Sequence, residues 1–381
     1  MRWINVLHFY QPPLSHPEIV LEAAKFSYSR VAKVLLKNPK VKVTVNFSGC
    51  LLEQLQTLGQ TELINDWRQL VARGQVEILG SAYWHALLPK LNLRDVAYQV
   101  TAQENILKSV FNIERPRGFF APELAYSKEL AKWLVERGYH YAIVDEITID
   151  GQLGQPKKLL YQDESGLILA VRQRELSRSY PPEVIMGDLR DCPKDLFTAT
   201  DGELYGLRHR DYRGNLEKVW QKEDFNYQTV SELLDQEENN EPCQLVASSW
   251  ESQSEEIISR QPFAVWDNRQ NNIHSMLWSL ADLASQAADH FSKDDNREWV
   301  YRHLHQGLAS CAWWWASNRD FALFGNRAWN PEEIIRGAEQ LTRSVRSIEN
   351  EASRHWKQEA DKIFCSLQGT IWQQHWRQWL K

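Results

Sequence analysis

Two acidic residues, Glu123 and Asp201, each follow a short apolar run in this chain of 381 residues. Glu123 closes the run Gly-Phe-Phe-Ala-Pro-Glu, and Asp201 comes directly after Leu-Phe-Thr-Ala-Thr. Barrel enzymes carry their chemistry in this position, just past the ends of buried strands. Enzymes that cleave glycosidic bonds work with such a pair of carboxyl groups. The chain also has 17 Trp and 13 Tyr, whose rings can stack on sugars, so the pair points toward sugar chemistry.

A retaining glycosidase needs two carboxyl groups about 5–5.5 Å apart, one to attack the anomeric carbon and one to donate and then recover a proton. Their pKa values must be pushed apart, so that one is charged and the other protonated near neutral pH. Other polar residues also follow apolar runs in this chain, among them His8, Asp145, Glu203 and Trp250. Several carboxylates and a histidine at successive strand ends favour a shared site over simple exposure to solvent.

Short apolar segments in the first 250 residues predict strands that are buried on both faces. They are Trp3–His8, Val43–Phe47, Val76–Leu79, Gly118–Ala121, Tyr141–Val144, Leu167–Val171, Leu196–Ala199 and Leu245–Ala247. Helical patterns lie between several of them, such as the one that Ser127 caps and Gly138 ends. Strands that alternate with helices predict a parallel sheet of the α/β class. Seven or eight such units predict a closed or distorted β/α barrel.

From about residue 265 onward, apolar residues recur only at helical spacing, and the tail from Ser353 to Leu380 continues this pattern. We therefore predict a β/α barrel over residues 1–262 and a helical domain over residues 263–381 that completes the site. The stretch from Ser177 to Lys194 contains Pro181, Pro182 and Pro193. It predicts a long loop that walls the site, since loops of this length are uncommon without a role.

The composition is ordinary for a globular protein, with 43% hydrophobic and 25% charged residues and a net charge of −6. Because no long basic run exists, we expect neither nucleic acid nor an anionic membrane as a partner. No apolar run approaches the roughly 20 residues of a membrane helix, and the first residues enter a strand pattern at once, so we expect a cytoplasmic protein. The five cysteines are widely spaced without a Cys-x-x-Cys pair, which argues against disulfides and a cysteine zinc site. We expect no metal and no organic cofactor, and the oligomeric state stays open.

Several motifs in chain order resemble those of glycoside hydrolase family 57. The family's opening His-x-His-Gln-Pro corresponds to His8-Phe9-Tyr10-Gln11-Pro12, and its second segment to Gly74-Gln75-Val76-Glu77-Ile78 with His85 and Pro89. The third and fourth motifs are similar to Pro122-Glu123-Leu124-Ala125-Tyr126 and Asp201-Gly202-Glu203-Leu204-Tyr205-Gly206. Ser249-Trp250 and Trp266-Asp267-Asn268 resemble later segments of amylase-like members. Each motif alone is weak, but their order and spacing together form a strong signal.

The resemblance implies that Glu123 is the nucleophile and Asp201 the acid/base, with their carboxyl groups about 5–6 Å apart as in retaining enzymes. It implies an incomplete, seven-stranded β/α barrel followed by helices. Family members act on α-glucans with retention and include α-amylases, 4-α-glucanotransferases and branching enzymes. Further positions are expected to bind the substrate: His8, Tyr10, Gln11, His85, Glu203, Trp250, Trp266, Cys311 and Trp314.

Three departures from the family pattern touch these sugar-binding positions. Tyr10 replaces the second histidine of the opening motif, Arg208 stands where amylase-like members have histidine, and Cys311 stands where the last motif has an acid or asparagine. Two hypotheses therefore stay open: a retaining hydrolase or transglycosylase acting on starch, glycogen or maltooligosaccharides, and an impaired member that binds carbohydrate or regulates. A zinc deacetylase of similar barrel shape is a weaker alternative, because the chain lacks a His-x-x-x-His motif.

Overall fold

The computed structural model describes residues 1–154, 157–187, 194–237, 243–321 and 327–379. Short parallel strands alternate with helices over the first part of the chain, as the apolar segments predict. The strands of the described residues are Arg2–Phe9 (β1), Val43–Phe47 (β2), Val76–Ile78 (β3), Gly118–Phe119 (β4), Tyr141–Asp145 (β5), Leu160–Gln162 (β6), Ile168–Arg172 (β7), Asp195–Asp201 (β8) and Asn226–Gln228 (β9).

The strands form two sheets. One has the order β3-β2-β1-β8, with β9 also paired to β1, and all its pairs are parallel. The other has the order β4-β5-β7-β6, in which only β6 runs antiparallel. In the first sheet His8 lies in register with Asn46 on one side and Asp201 on the other. The carboxyl ends of these parallel strands therefore bring three chemically active side chains to one edge, where ligands bind in open α/β sheets.

Backbone hydrogen bonds link the two sheets at two places. Gly80, just past β3, bridges Phe119 of β4 in parallel fashion. On the other side, the amide of Gln173, just past β7, donates to the carbonyl of Phe197 on β8 (2.9 Å). Across the described residues the pairing nevertheless gives two sheets and not one closed barrel. The seven-stranded count stays a prediction.

Two details of the predicted fold are wrong. Residues 245–247 form no strand, because Leu245 makes only an isolated antiparallel bridge to Ile149. The predicted loop from Ser177 to Lys194 contains the helix Pro181–Met186, where a proline at the first helical position supplies a backbone angle that already suits a helix. Pro193 lies outside the described residues. The strands β6 and β9 were not predicted, because three residues are too few to show a period.

Helices account for most of the remaining structure. Ser127 caps its predicted helix by accepting the amide of Leu130, and Gly138 ends it with φ 98°. The α-helices of the described residues are Pro17–Ala23 (α1), Ser29–Lys37 (α2), Gly49–Thr57 (α3), Thr61–Ala72 (α4), Leu93–Phe111 (α5), Lys128–Arg137 (α6), Arg174–Arg178 (α7), Pro181–Met186 (α8), Asn215–Trp220 (α9), Val230–Gln236 (α10), Ser254–Ile258 (α11), Asn272–His290 (α12), Arg297–Gly307 (α13), Cys311–Ala316 (α14), Pro331–Arg346 (α15) and Arg354–Trp379 (α16). Among the residues described, no helix combines the length and apolar character of a membrane span.

The helices from α12 onward share a core with the second sheet. One buried apolar cluster contains Phe119 and Val144 from the strands together with Leu277, Leu304 and Leu341 from the helices. This cluster runs across the predicted domain boundary at residue 262, which stays a prediction. A bridge between Ala86 and Ala309 fixes the start of α14 against the segment that follows β3. Residues far apart in the chain thereby meet beside Glu123.

Candidate active site

Glu123 is buried and held in an unusual backbone conformation. It lies on a single helical turn, Pro122–Leu124, just after β4, and the residue is only 7% exposed. Its φ of +62° and the +47° of Leu124 place two successive non-glycine residues in the left-handed region. Such a conformation costs about 1–3 kcal/mol per residue and clusters at active sites. The fold therefore sacrifices backbone stability to present this carboxyl group.

Both carboxyl oxygens of Glu123 have hydrogen-bond partners. The indole N–H of Trp250 donates to Oε2 (2.8 Å), and the hydroxyl of Ser310 lies 2.8 Å from Oε1. The backbone amide of Trp250 also donates to the carbonyl of Glu123 (3.0 Å). Burial raises the pKa of Glu123 to about 8; the nearby charge of Asp201 adds to this, while the two hydrogen bonds act in the opposite direction. The carboxyl group is thus oriented and holds its proton unusually strongly.

Two buried histidines line the same side of the site. His85, which has a φ of +60°, places Nδ1 3.0 Å from Ser310 Oγ and 3.7 Å from Glu123 Oε1. Its Nε2 lies 3.0 Å from His8 Nε2, and His8 Nδ1 lies 2.7 Å from Asn46 Oδ1. Burial lowers the pKa of both imidazoles, so both are neutral at pH 7. Both histidines were predicted to bind substrate, and hydrogen bonds through Ser310 connect them to Glu123.

Asp201 is the last residue of β8, and it pairs with Arg208, one of the residues that depart from the family pattern. Its Oδ2 accepts a hydrogen bond from Arg208 Nη1 at 2.6 Å, in an ion pair whose two side chains are about a quarter and a third exposed. Its negative charge contributes to the raised pKa of Glu123, which places the two carboxyl groups within electrostatic reach. The predicted separation of about 5–6 Å stays a prediction.

Glu203, two residues after Asp201, lies in a buried polar cluster. Its Oε1 accepts hydrogen bonds from the hydroxyl of Tyr28 and from the amide of Gln11 (3.3 Å). Burial raises the pKa of Glu203 to about 7; the charge of Arg208 lowers it and that of Asp201 raises it. Gln11 and Glu203 were predicted to bind substrate. The structure joins the two by a hydrogen bond, and their contact with substrate stays a prediction.

Trp250 is itself held by a buried ion-pair network. The Arg172 guanidinium lies 5.2 Å from the centre of the indole ring, a cation–π distance. Asp145 accepts hydrogen bonds from both Arg172 (2.6 Å) and Arg174 (2.6 Å), and all three side chains are buried. Asp145 thus supports the residue that orients Glu123.

The four remaining predicted residues are Tyr10, Cys311, Trp266 and Trp314. Tyr10 stacks on His85 with ring centres 3.9 Å apart, and its hydroxyl lies 3.0 Å from Cys311 Sγ, so both belong to the wall beside Glu123. Trp266 is completely buried in the core and offers no face to a ligand in this conformation. Trp314 is half-buried and stacks on Phe321 (5.1 Å).

Sequence reasoning missed Ser310, Asn46 and Arg172 as site residues. Ser310 comes just before the start of α14 and is separated from Glu123 by 187 positions, so no local pattern connects them. The signal that could have found it is its place in the last family motif, directly before Cys311. Among the described residues, no group of three or more His, Cys, Asp or Glu side chains is placed to hold a metal ion.

Replacement of Trp250 by Phe tests the orientation of Glu123. The Trp250→Phe variant keeps an aromatic ring over Arg172 but loses the N–H donor to Glu123 Oε2. When Glu123 attacks as a carboxylate, this bond is to a charged group and contributes about 1.5–3 kcal/mol, so we expect kcat/KM on maltooligosaccharides to fall by about 10- to 100-fold. Trp299→Phe, in a tryptophan that is 56% exposed on α13, is the matched control. Equal rates in both variants would contradict the assigned role of Trp250.

Two carboxyl groups that follow parallel strands, surrounded by histidine and aromatic side chains, are typical of glycoside hydrolases. The chain belongs to glycosyl hydrolase family 57, whose model matches residues 6–243. It is 29% identical over 241 residues to an α-amylase of Pyrococcus furiosus, covering 59% of this chain and 36% of that one. It is 25% identical over 247 residues to a 4-α-glucanotransferase of Thermococcus litoralis, covering 61% of this chain and 37% of that one. The matches thus span little more than a third of the length of these curated relatives.

Solved structures with the same fold cover nearly the whole chain. The 4-α-glucanotransferase of Thermococcus litoralis superimposes with a TM-score of 0.72 at 19% identity, covering 92% of this chain and 60% of that one. A family 57 branching enzyme of Pyrococcus horikoshii superimposes with a TM-score of 0.68 at 16% identity, covering 95% and 94%. At these identities the comparison establishes the fold.

Proposed function

We propose that this protein is a retaining glycoside hydrolase or transglycosylase that acts on α-glucans. Glu123 attacks the anomeric carbon and forms a glycosyl-enzyme, while Asp201 protonates the leaving oxygen. Asp201 then activates water or an acceptor hydroxyl to release the sugar. The observation that carries this assignment is the presentation of Glu123: a buried carboxyl group on a left-handed turn, held at both oxygens and within electrostatic reach of Asp201.

Membership of family 57 supports α-glucans as the substrate class, because the relatives include an α-amylase and a 4-α-glucanotransferase. We further propose that the two sheets are parts of one incomplete seven-stranded barrel, with the helical part of the chain closing the site. The backbone links from Gly80 to Phe119 and from Gln173 to Phe197 support this arrangement. Ser310, which lies just before α14, supports the second part, since it reaches Glu123 itself.

Product analysis after incubation with maltotriose tests the activity and separates its two forms. A hydrolase produces only glucose and maltose in stoichiometric amounts. A transglycosylase also produces chains longer than the substrate, because a second maltotriose replaces water as the acceptor. The assignment fails if neither kind of product accumulates during a long incubation at high enzyme concentration.

One observation favours a second candidate, a family member that binds α-glucans without cleaving them. Arg208 occupies Oδ2 of Asp201 at 2.6 Å, and an acid/base must be free to exchange a proton at that group. Saturable maltooligosaccharide binding by calorimetry, combined with no product from maltotriose, supports this candidate. Arg208→His restores the residue type found in amylase-like members. Activity that appears only in that variant identifies Arg208 as the cause of the impairment.

A further inference from the structure

A continuous line of hydrogen bonds leads from β2 to Glu123. Asn46 Oδ1 contacts His8 Nδ1 (2.7 Å), His8 Nε2 contacts His85 Nε2 (3.0 Å), and His85 Nδ1 contacts Ser310 Oγ (3.0 Å). Ser310 Oγ in turn contacts Glu123 Oε1 (2.8 Å). All five residues are buried, and each contact joins one member of the line to the next. The number of hydrogen atoms along this line is therefore constrained.

The hydrogens can be counted from the Asn46 end. Asn46 Oδ1 only accepts, so His8 carries its hydrogen on Nδ1 and, being neutral, leaves Nε2 bare. His85 must then donate from Nε2, which leaves the Nδ1 of a neutral His85 as an acceptor for the hydroxyl of Ser310. A serine has one hydroxyl hydrogen, so when it points to His85 the contact with Glu123 needs a hydrogen from the carboxyl group.

An ionised Glu123 requires a different placement of the hydrogens. If Glu123 is ionised, Ser310 donates to Oε1, and the bond between Ser310 and His85 survives only if His85 Nδ1 also carries a hydrogen. One proton is thus shared by Glu123 and His85. The raised pKa of Glu123 agrees with the form in which the carboxyl group holds it.

We propose that Glu123, Ser310 and His85 form a proton relay, in which the proton of Glu123 passes through Ser310 to His85 when Glu123 becomes the attacking carboxylate. The proposal rests on the proposed role of Glu123 as nucleophile. The Oε1–H bond breaks as a new Oγ–H bond forms, and the original Oγ–H bond breaks as an Nδ1–H bond forms. The products are a carboxylate and an imidazolium, so total charge is conserved. Hydrolysis of the glycosyl-enzyme regenerates the carboxylate, and the proton returns by the same route.

The surroundings determine where the shared proton rests. Asp201 and Glu251 add negative charge near Glu123 and favour its protonated form. Burial lowers the pKa of His85, and the nearby His8 lowers it further, so both disfavour the imidazolium form of His85. Burial lowers the pKa of His8; the charge of Asp201 raises that pKa, and the charge of Arg208 lowers it. Tyr10 stacks on His85 and Cys311 contacts Tyr10, and burial raises the pKa of both groups, so both are uncharged near neutral pH.

Nitrogen-15 NMR of the histidine rings tests the relay without any substrate. At pH 7 we expect His8 to be protonated on Nδ1, and His85 on Nε2 with a hydrogen-bonded, bare Nδ1. The Nδ1 signal of His85 should then shift with a midpoint near pH 8, because loss of the Glu123 proton turns the Ser310 hydroxyl away from it. The pKa of His85 itself is well below its usual value, so this step cannot be its own titration.

Three variants connect this step to the relay residues. Glu123→Gln and Ser310→Ala should each remove the step near pH 8, while Ser310→Thr, which keeps the hydroxyl, should retain it. In the kinetic arm, Ser310→Ala should lower kcat/KM on maltooligosaccharides by about 10- to 100-fold, and Ser310→Thr should restore most of the loss.

Three results would overturn the relay: a His8 protonated on Nε2, which an inverted Asn46 amide would produce; a titration step that persists in Glu123→Gln; or a Ser310→Ala variant that behaves as wild type in both arms. The NMR arm does not depend on turnover. If it succeeds while no α-glucan is processed, the proposed function fails and the shared proton stands as a property of the fold.

Discussion

The Glu123→Gln variant should lose at least about 1,000-fold in turnover of maltooligosaccharides, because a neutral amide cannot attack the anomeric carbon. Glutamine has nearly the same shape as glutamate and can still accept the hydrogen bond from Ser310 or Trp250. Binding of substrate should therefore change little. Reducing-sugar release over hours at high enzyme concentration measures the turnover, and calorimetric titration with maltooligosaccharide measures the binding.

Glu164→Gln is the matched control, because the Glu164 side chain is 81% exposed and pairs with Lys128 on the surface. Its activity should equal that of the wild type. A Glu123→Gln variant that turns over substrate at the wild-type rate would refute the assignment of the nucleophile. Loss of both binding and turnover would instead indicate a damaged site, which the stability measurement below distinguishes.

The same substitution should stabilise the fold at higher pH. Burial raises the pKa of Glu123 to about 8 in the folded protein, against about 4.5 for an exposed glutamate. Between these values the folded state holds a proton that the unfolded state has lost, so wild-type stability falls as pH rises from about 4.5 to 8. Glutamine does not titrate and removes this decline. Relative to wild type, the variant should therefore gain about 1–3 kcal/mol between pH 5 and pH 8, measured by denaturant unfolding at both pH values.

Most of the strands, and a candidate catalytic pair at the ends of two of them, could be predicted from the sequence for clear physical reasons. A buried parallel strand is a continuous apolar run, and the residue after it reaches the ligand edge of the sheet, so Glu123 and Asp201 could be identified locally. Ordered motifs then separated these two acids from others at strand ends. Asp145, which also ends a strand, serves instead to hold Arg172 and Arg174.

The contacts that tune the site could not be predicted, because they join residues with large separations in sequence. Ser310 reaches Glu123 across 187 positions, and the direction of its hydroxyl depends on His85 and Asn46 from two other segments. Trp266 is a different case: a motif predicts a sugar contact there, whereas the structure buries the ring in the core that α12 shares with the second sheet. A motif shows which residue type stands at a position, whereas the burial of its side chain and its hydrogen-bond partners determine what that side chain can do.

Asp201→Asn should lower turnover of maltooligosaccharides by about 100- to 10,000-fold, because general acid–base catalysis contributes that much when the leaving group is a sugar hydroxyl. A maltosyl fluoride needs little protonation of its leaving group, so formation of the glycosyl-enzyme from it should be affected far less. The substitution also removes a negative charge that helps to raise the pKa of Glu123, so that pKa should fall. Comparing kcat/KM on the two substrates, which reports the steps up to departure of the leaving group, measures the acid role of Asp201 separately from its later role in activating water.

Asp195→Asn provides a control on the same strand, since Asp195 also pairs with an arginine, Arg2, but lies at the opposite end of β8 from Asp201. It should leave both rates unchanged. An equal loss of kcat/KM on both substrates in Asp201→Asn would show that Asp201 acts by orienting Glu123 and not by protonating the leaving oxygen. The ion pair with Arg208 makes this distinction informative, because the acid role requires that pair to open when substrate binds, whereas an orienting role is compatible with the pair as it stands.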